Sequence, residues 1–182
     1  MTDQKPIDPP FRAEHIGSLL RPQDLIDARL SHEGGDMEEE ELFAYPEYWF
    51  KDENYQGNPL RLSGLEYAKG LILHPDTEED GTVRGRVEYR LEGDMRHGRF
   101  AAVIGIDDSM EGYGQGSSAF MVEVRLKGEW MQVFESGLLK LGAAPQEAKV
   151  KLAGADRLRL IVTDGGDGTV CDHALWAHAR IY

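Results

Sequence analysis

Asp172-His173-Ala174-Leu175-Trp176, near the C-terminal end of the chain, puts a carboxylate, an imidazole and an indole into one short stretch. Ahead of it runs an oxygen-rich loop, Asp164-Gly165-Gly166-Asp167-Gly168, and elsewhere His74 and the pair Asp107-Asp108 stand at the ends of apolar runs. Planar polar groups of these kinds can fork two hydrogen bonds onto neighbouring hydroxyls, while an aromatic face can stack on an apolar C–H surface. Trp49, Trp130 and Trp176 are the stacking candidates. Each also has a reading as a packing residue, since a tryptophan is more often a buried anchor than a contact.

Other chemistries find less support. Calcium takes roughly 6 to 8 oxygen ligands, and Asp164 and Asp167 are candidates for it, but the EF-hand register and its terminal Glu are missing. Asx turns that pin the loop are the competing reading, and Asp172 has the same alternative of bonding backbone groups. His74 and His173 lack the i, i+4 or CxxC partners of a zinc site. His74 closes the run Leu71-Ile72-Leu73, where it serves either as a hydrogen-bonded structural residue or as a ligand contact. Paired carboxylates acting on a glycosidic bond must sit about 5 to 10 Å apart, a geometry that spacing cannot show for Asp107, Asp164 or Asp172. No nucleophile elbow, P-loop or dinucleotide fingerprint is present, so catalysis is the minor reading.

The elements that must position these groups are strands. Val87, Tyr89 and Leu91 alternate with Arg86, Glu88 and Arg90, and the same period-two pattern recurs in three further runs: Phe100 to Ile106, Phe120 to Leu126 and Ala148 to Leu152. Leu158, Leu160 and Val162 complete it before the Gly/Asp loop. Turn signals separate the runs, among them Ser63-Gly64, Lys127-Gly128 and the stretch Gly112-Tyr113-Gly114-Gln115-Gly116, which either touches a ligand or merely connects strands. Short strands without long helical stretches predict an all-β antiparallel β-sandwich over residues 42–182. Residues 1–41 differ. Arg21 to Glu41 predicts a short helix begun near Pro22 and ended by Gly34-Gly35, followed by the solvated acidic run Glu38 to Glu41.

Composition bounds the partners. The chain has 182 residues, with 20 Lys and Arg against 33 Asp and Glu, a formal charge of -13. That field repels a phosphate backbone and makes nucleic acid a poor partner. The single Cys171 has no intramolecular partner for a disulfide. The first residues show no basic end followed by an apolar core, and no run of ~18 apolar residues exists to span a bilayer. No export signal is visible, and the compartment stays open.

Several motifs together point to a family. Leu158-Arg159-Leu160-Ile161-Val162 leads through Asp164, Gly166-Asp167-Gly168 and Asp172-His173-Ala174 to Trp176-Ala177. Asn58-Pro59-Leu60, Gly64, Tyr67, Lys69-Gly70-Leu71 and His74 precede it, with Phe100, Ala102, Gly105-Ile106-Asp107-Asp108 and Phe120 between. In order and spacing these resemble the NPCBM family, carbohydrate-binding modules found attached to glycoside hydrolases. The resemblance covers about residues 42–182 and departs from the family at the acidic loop Pro75 to Gly81 and at the stretch Gly112 to Gly116. It implies a galactose-binding-like jelly roll that binds a terminal sugar through loops at one end of the sandwich, without a catalytic role. His74, Asp108, Asp172, His173 and Trp176 are the implied carbohydrate contacts. No cofactor is implied, with calcium at Asp164 and Asp167 as the one candidate. A protein-interaction or structural domain that has kept the fold without the sugar, with a protein partner, is the alternative.

The leader carries a second resemblance. Phe11 to Pro22, including Ile16-Gly17-Ser18, is similar to the opening of cobalamin-independent methionine synthase-like proteins. The remainder of such a barrel, ~250 residues, is not in this sequence, so the segment reads as a leader without catalysis.

Overall fold

The computed structural model describes residues 49–182 apart from 79 and 94. The helix expected between Arg21 and Glu41, the segment at 11–30 and the side chain of Trp49 lie outside the described residues. No described helix is long and apolar enough to cross a membrane.

Among the described residues, twelve strands and one 3-10 helix follow in order: β1 (Trp49–Lys51), β2 (Leu60–Leu62), β3 (Leu65–Tyr67), β4 (Gly70–Leu73), β5 (Asp76–Thr77), β6 (Val83–Arg90), β7 (Arg99–Ile106), the 3-10 helix Asp108–Tyr113, β8 (Ser117–Leu126), β9 (Glu129–Lys140), β10 (Gln146–Lys151), β11 (Arg157–Thr163) and β12 (Ala174–Ile181). They form two five-stranded sheets, β1-β4-β12-β7-β10 and β5-β6-β11-β8-β9, and a separate hairpin β2-β3. Every pairing is antiparallel. The protein is therefore the β-sandwich that the alternating runs predict.

Alternation places the core. Phe100, Ala102 and Ile104 from one sheet meet Phe120, Val122, Val124, Leu158, Leu160 and Val162 from the other. Their neighbours Arg86, Glu88, Glu123, Arg157 and Arg159 turn outward and pair across strands, as in Arg159 to Glu88 and Glu123, both at 3.0 Å. Two tight turns explain the hairpins. Ser63-Gly64 (φ 50° and 80°) and Lys127-Gly128 (φ 52° and 89°) have positive φ at both central positions, the backbone that suits the right-handed strand twist.

The first sheet departs from simple alternation because it is covered twice. The β2-β3 hairpin lies on its outer face, where Leu60 and Leu62 pack with Ile72, Leu175 and Ala177 into a second apolar cluster. Gly70 to Leu73 and Ala174 to Ala177 are consequently buried at every position. This settles the two faces of β12. Leu175 and Ala177 belong to the outer cluster, whereas Trp176 is 0% exposed in the main core, with its ring 5.2 Å from Phe120 and 6.2 Å from Phe100.

The acidic stretch after His74 also has a structural use. Glu78 is shared between Arg84 and Arg86, and Asp80 reaches Arg84 at 3.3 Å. Glu78 and Asp80 thus pair with arginines at the start of β6.

Candidate functional site

Register brings the candidate residues to one place. Ala174 on β12 is paired with Leu73 on one side and Ile106 on the other. The three residues adjoining this row, His173, His74 and Asp107, therefore leave the sheet together, and the Asp107 N–H donates to the His173 carbonyl at 3.0 Å. Because strand neighbours alternate faces and Leu73 and Ala174 point into the main core, His74 and His173 turn toward the outer side of the first sheet.

There they meet aromatic rings. The His173 ring lies 5.5 Å from His74, edge-on, and 5.0 Å from Tyr55, also edge-on, and is stacked in parallel with Phe50 at 6.3 Å. The Tyr55 hydroxyl accepts from the Gln56 side-chain amide at 2.7 Å and lies 3.3 Å from the Tyr113 hydroxyl. Tyr55 arrives on the loop between β1 and β2, folded around Asn54, whose side-chain oxygen accepts from the N–H groups of Gln56 and Asn58. Tyr113 arrives at the end of the 3-10 helix.

Both histidines are neutral near pH 7. Burial pushes His173 down to about 4, helped by repulsion from His74. Burial likewise lowers His74, against backbone hydrogen bonds with Pro75 and Thr169 that pull it up. The Nδ1 atom of His173 is buried without a hydrogen-bond partner among the described groups. A neutral imidazole carries one donor and one acceptor, the complement of a hydroxyl.

The carboxylates have a different task. Asp107 is fully buried and caps the 3-10 helix. One of its oxygens accepts from the Ser109 N–H, and the other accepts from the Arg61 N–H of the hairpin at 3.0 Å. Asp108 accepts from the N–H groups of Ser63 and Gly64 at 2.9 and 2.7 Å. These two residues clamp the hairpin turn to the sandwich, so Asp108 is occupied by the fold rather than held out for a guest. Asp172, 1% exposed, accepts from the Ser117 N–H at 2.7 Å, while the Ser117 hydroxyl reaches both oxygens of Asp167 at 2.8 and 2.9 Å. Burial and the nearby charges of Asp167 and Asp164 push Asp172 up to about 7, against the pull of the Ser117 N–H.

The sequence-predicted residues thus divide. His74 and His173 come together, whereas Asp172, expected as a sugar contact, is 1% exposed and turned to the Ser117 N–H, so it holds the loop rather than facing a guest. Trp176 requires correction as a sugar contact. Lying three positions after His173, an odd interval, it falls on the opposite side of the sheet and is enclosed by Phe100 and Phe120. Trp130 lies on the second sheet with the Arg159 guanidinium 3.7 Å over its ring. The calcium candidates are not assembled either: Asp164 accepts from the Gly166 N–H, Asp167 takes the Ser117 hydroxyl, and among the described residues no three His, Cys, Asp or Glu side chains are grouped to hold a metal. Phe50 and Tyr55 were not legible as part of a site, whereas Tyr113 lies in the Gly112 to Gly116 stretch read from sequence as a ligand contact or a plain connection.

Two five-stranded antiparallel sheets packed as a sandwich are the fold of a galactose-binding-like carbohydrate-binding module. The chain matches the model of the NPCBM/NEW2 domain over residues 44–182, and it belongs to that family. Among solved structures it resembles the CBM51 module of Clostridium perfringens GH95 in complex with methyl-galactose. Identity there is 31% and the TM-score 0.58, with 74% of this chain and 87% of that one covered. It also resembles the structure of CBM51-2 in complex with GlcNAc and INT domains from Clostridium perfringens ZmpB, at 25% identity and TM-score 0.59, covering 73% of this chain and 27% of that one. A curated relative from Renibacterium salmoninarum, named "Putative endo-alpha-N-acetylgalactosaminidase", is 32% identical over 124 residues. That stretch is 68% of this chain but spans only 7% of the relative's length.

Proposed function

We propose that the His74, His173 and Tyr55 cluster binds a terminal neutral sugar of the galactose or N-acetylhexosamine type, and leaves it chemically unchanged. The observation that carries this reading is the convergence of two uncharged imidazoles with aromatic rings at one end of the fold. The imidazoles match vicinal hydroxyls, and the rings offer apolar edges to the C–H side of a pyranose. A neutral guest also meets no Coulomb penalty in a protein of charge -13. The similar modules whose structures hold methyl-galactose and GlcNAc support the choice of sugar. Asp107 and Asp108 are engaged by backbone N–H groups and hold the hairpin turn to the sandwich rather than facing a guest.

Within a larger protein, the domain's task is to hold an enzyme against its glycan. Residues 1–41 form a separate leader in this reading. Titration of methyl-galactoside and of GlcNAc, followed by calorimetry and by NMR shifts of His74 and His173, tests the proposal. Saturable binding of either at millimolar concentration, abolished in His173→Ala, is the expected result. No shift at either histidine up to that concentration overturns it.

A further inference from the structure

The outer face of the first sheet is only partly covered. The β2-β3 hairpin packs over Ile72, Leu175 and Ala177, and toward the end of the sandwich away from the imidazoles the same face carries cations. Register fixes their places. Arg99 on β7 is the direct partner of Lys151 on β10, and its N–H and carbonyl exchange hydrogen bonds with Tyr182 at 2.9 and 3.0 Å. One row on, Ala101 has Arg180 of β12 on one side and Lys149 of β10 on the other. Phe100, Val150 and Ile181 point into the main core, so by alternation both of these rows point outward. Tyr182 is 52% exposed, and the Arg180 guanidinium lies 5.7 Å from its ring.

Four cations on three adjacent strands make a local field opposite in sign to the chain's formal charge of -13. The arrangement works against stability, because like charges placed directly across an antiparallel pair repel. Lys149 reaches Glu147 at 2.8 Å and Arg180 donates to the His178 carbonyl at 3.1 Å, but Arg99 and Lys151 have no ion-pair partner among the described residues. Lysines along an edge strand guard it against unwanted pairing, which accounts for Lys149 and Lys151 on β10, the edge of the first sheet. It does not account for Arg99 on β7 or Arg180 on β12, both inner strands.

We propose that this face is a second, separate binding site, whose ligand is an acidic polysaccharide bearing carboxylate or sulfate groups. Neighbouring strands lie about 4.8 Å apart and the two rows about 6.7 Å apart, so an extended chain laid across β12, β7 and β10 meets a cation on each. The guanidinium groups fork onto oxyanions, and the exposed Tyr182 ring offers a stacking face to a pyranose. An acidic peptide added as a strand along the open edge of β10 reaches Lys149 and Lys151 but neither Arg180 nor the Tyr182 ring, which favours the polysaccharide. Arg99 and Ile106 stand at the two ends of β7, about 23 Å apart at the rise of a strand. The face is therefore remote from the imidazole cluster, and both sites can be filled at once.

The test titrates dextran sulfate, polygalacturonate and neutral dextran, by calorimetry at low and high salt, into wild type and into Arg99→Gln combined with Lys151→Gln. Arg90→Gln, an exposed arginine at the end of β6 in the second sheet, is the control. At low salt at least one acidic polymer binds wild type, salt weakens it, and dextran does not bind. The double variant weakens that binding about 4- to 25-fold, from about 2- to 5-fold for each exposed charge contact, while Arg90→Gln stays within about twofold. Tyr182→Ala weakens the polysaccharide and leaves poly-glutamate unaffected. In the double variant methyl-galactoside affinity stays within about twofold of wild type, and urea unfolding shows no loss of stability, since a repulsive pair has been relieved. No binding of either acidic polymer, or an equal loss in Arg90→Gln, overturns the proposal. Poly-glutamate bound more tightly than both polysaccharides overturns it in favour of an acidic protein partner. The acidic polymers are expected to bind whether or not methyl-galactoside does, so this site and the terminal-sugar reading fail independently.

Discussion

Replacing Asp172 with Asn should make the protein more stable at pH 8 and leave it nearly unchanged at pH 4. Asp172 is 1% exposed, one of its oxygens accepts from the Ser117 N–H, and the other is buried without a hydrogen-bond partner among the described residues. Its pKa is raised from 3.8 to about 7 in the folded protein. Between those values the folded state holds a proton that the unfolded state has released, so stability falls as pH rises through this window. The penalty is absent below the unfolded value and complete above the folded one. At full ionisation it amounts to about 4 kcal/mol, and admission of water to the loop on ionisation reduces it to about 2 to 4 kcal/mol. Asn preserves the acceptor toward Ser117 and cannot ionise. Urea unfolding of both proteins from pH 4 to 8 measures the difference directly, and the histidine titrations, common to both chains, cancel in it. A variant less stable than wild type at pH 8, or a difference that does not change with pH, would refute the reasoning.

Trp176→Ala should cost about 3 to 5 kcal/mol in urea unfolding, as expected for a large ring removed from a filled core; a fully stable variant with lost sugar binding would return Trp176 to the site. Asp108→Ala leaves the Ser63 and Gly64 N–H groups without their partner and should cost about 1 to 3 kcal/mol, with faster amide exchange at those two residues as the readout. Sugar affinity should be level from pH 6 to 8 with respect to His173 and should fall toward pH 4, where His173 gains its proton. The same depressed pKa means that folded His173 resists the proton the unfolded chain takes up near its ordinary 6.5, so stability is lost as pH falls from there toward 4. NMR titration of the His173 ring checks both statements, and a midpoint near 6.5 would contradict them.

The chain's own pattern fixed much of the architecture. Alternation in the runs from Val87, Phe100, Phe120, Ala148 and Leu158 defines which side chains face inward, and Ser63-Gly64 and Lys127-Gly128 define tight reversals, because these effects act between residues close in sequence. Proximity of Asp172 and His173 to a Gly/Asp loop, and the position of His74 at a strand end, were likewise legible. Tertiary structure decided the rest. Only the pairing of Ala174 with both Leu73 and Ile106 sets His173 beside His74, a contact across 99 positions of chain. Only the hairpin laid over the first sheet turns its outer face into a second core, which commits Leu175 and Ala177 there and leaves Trp176 no exposed surface. Tyr55 and Tyr113, 58 positions apart, meet for the same reason. Period and turn chemistry are local, whereas a binding site is an agreement among loops that the sheets bring to one end.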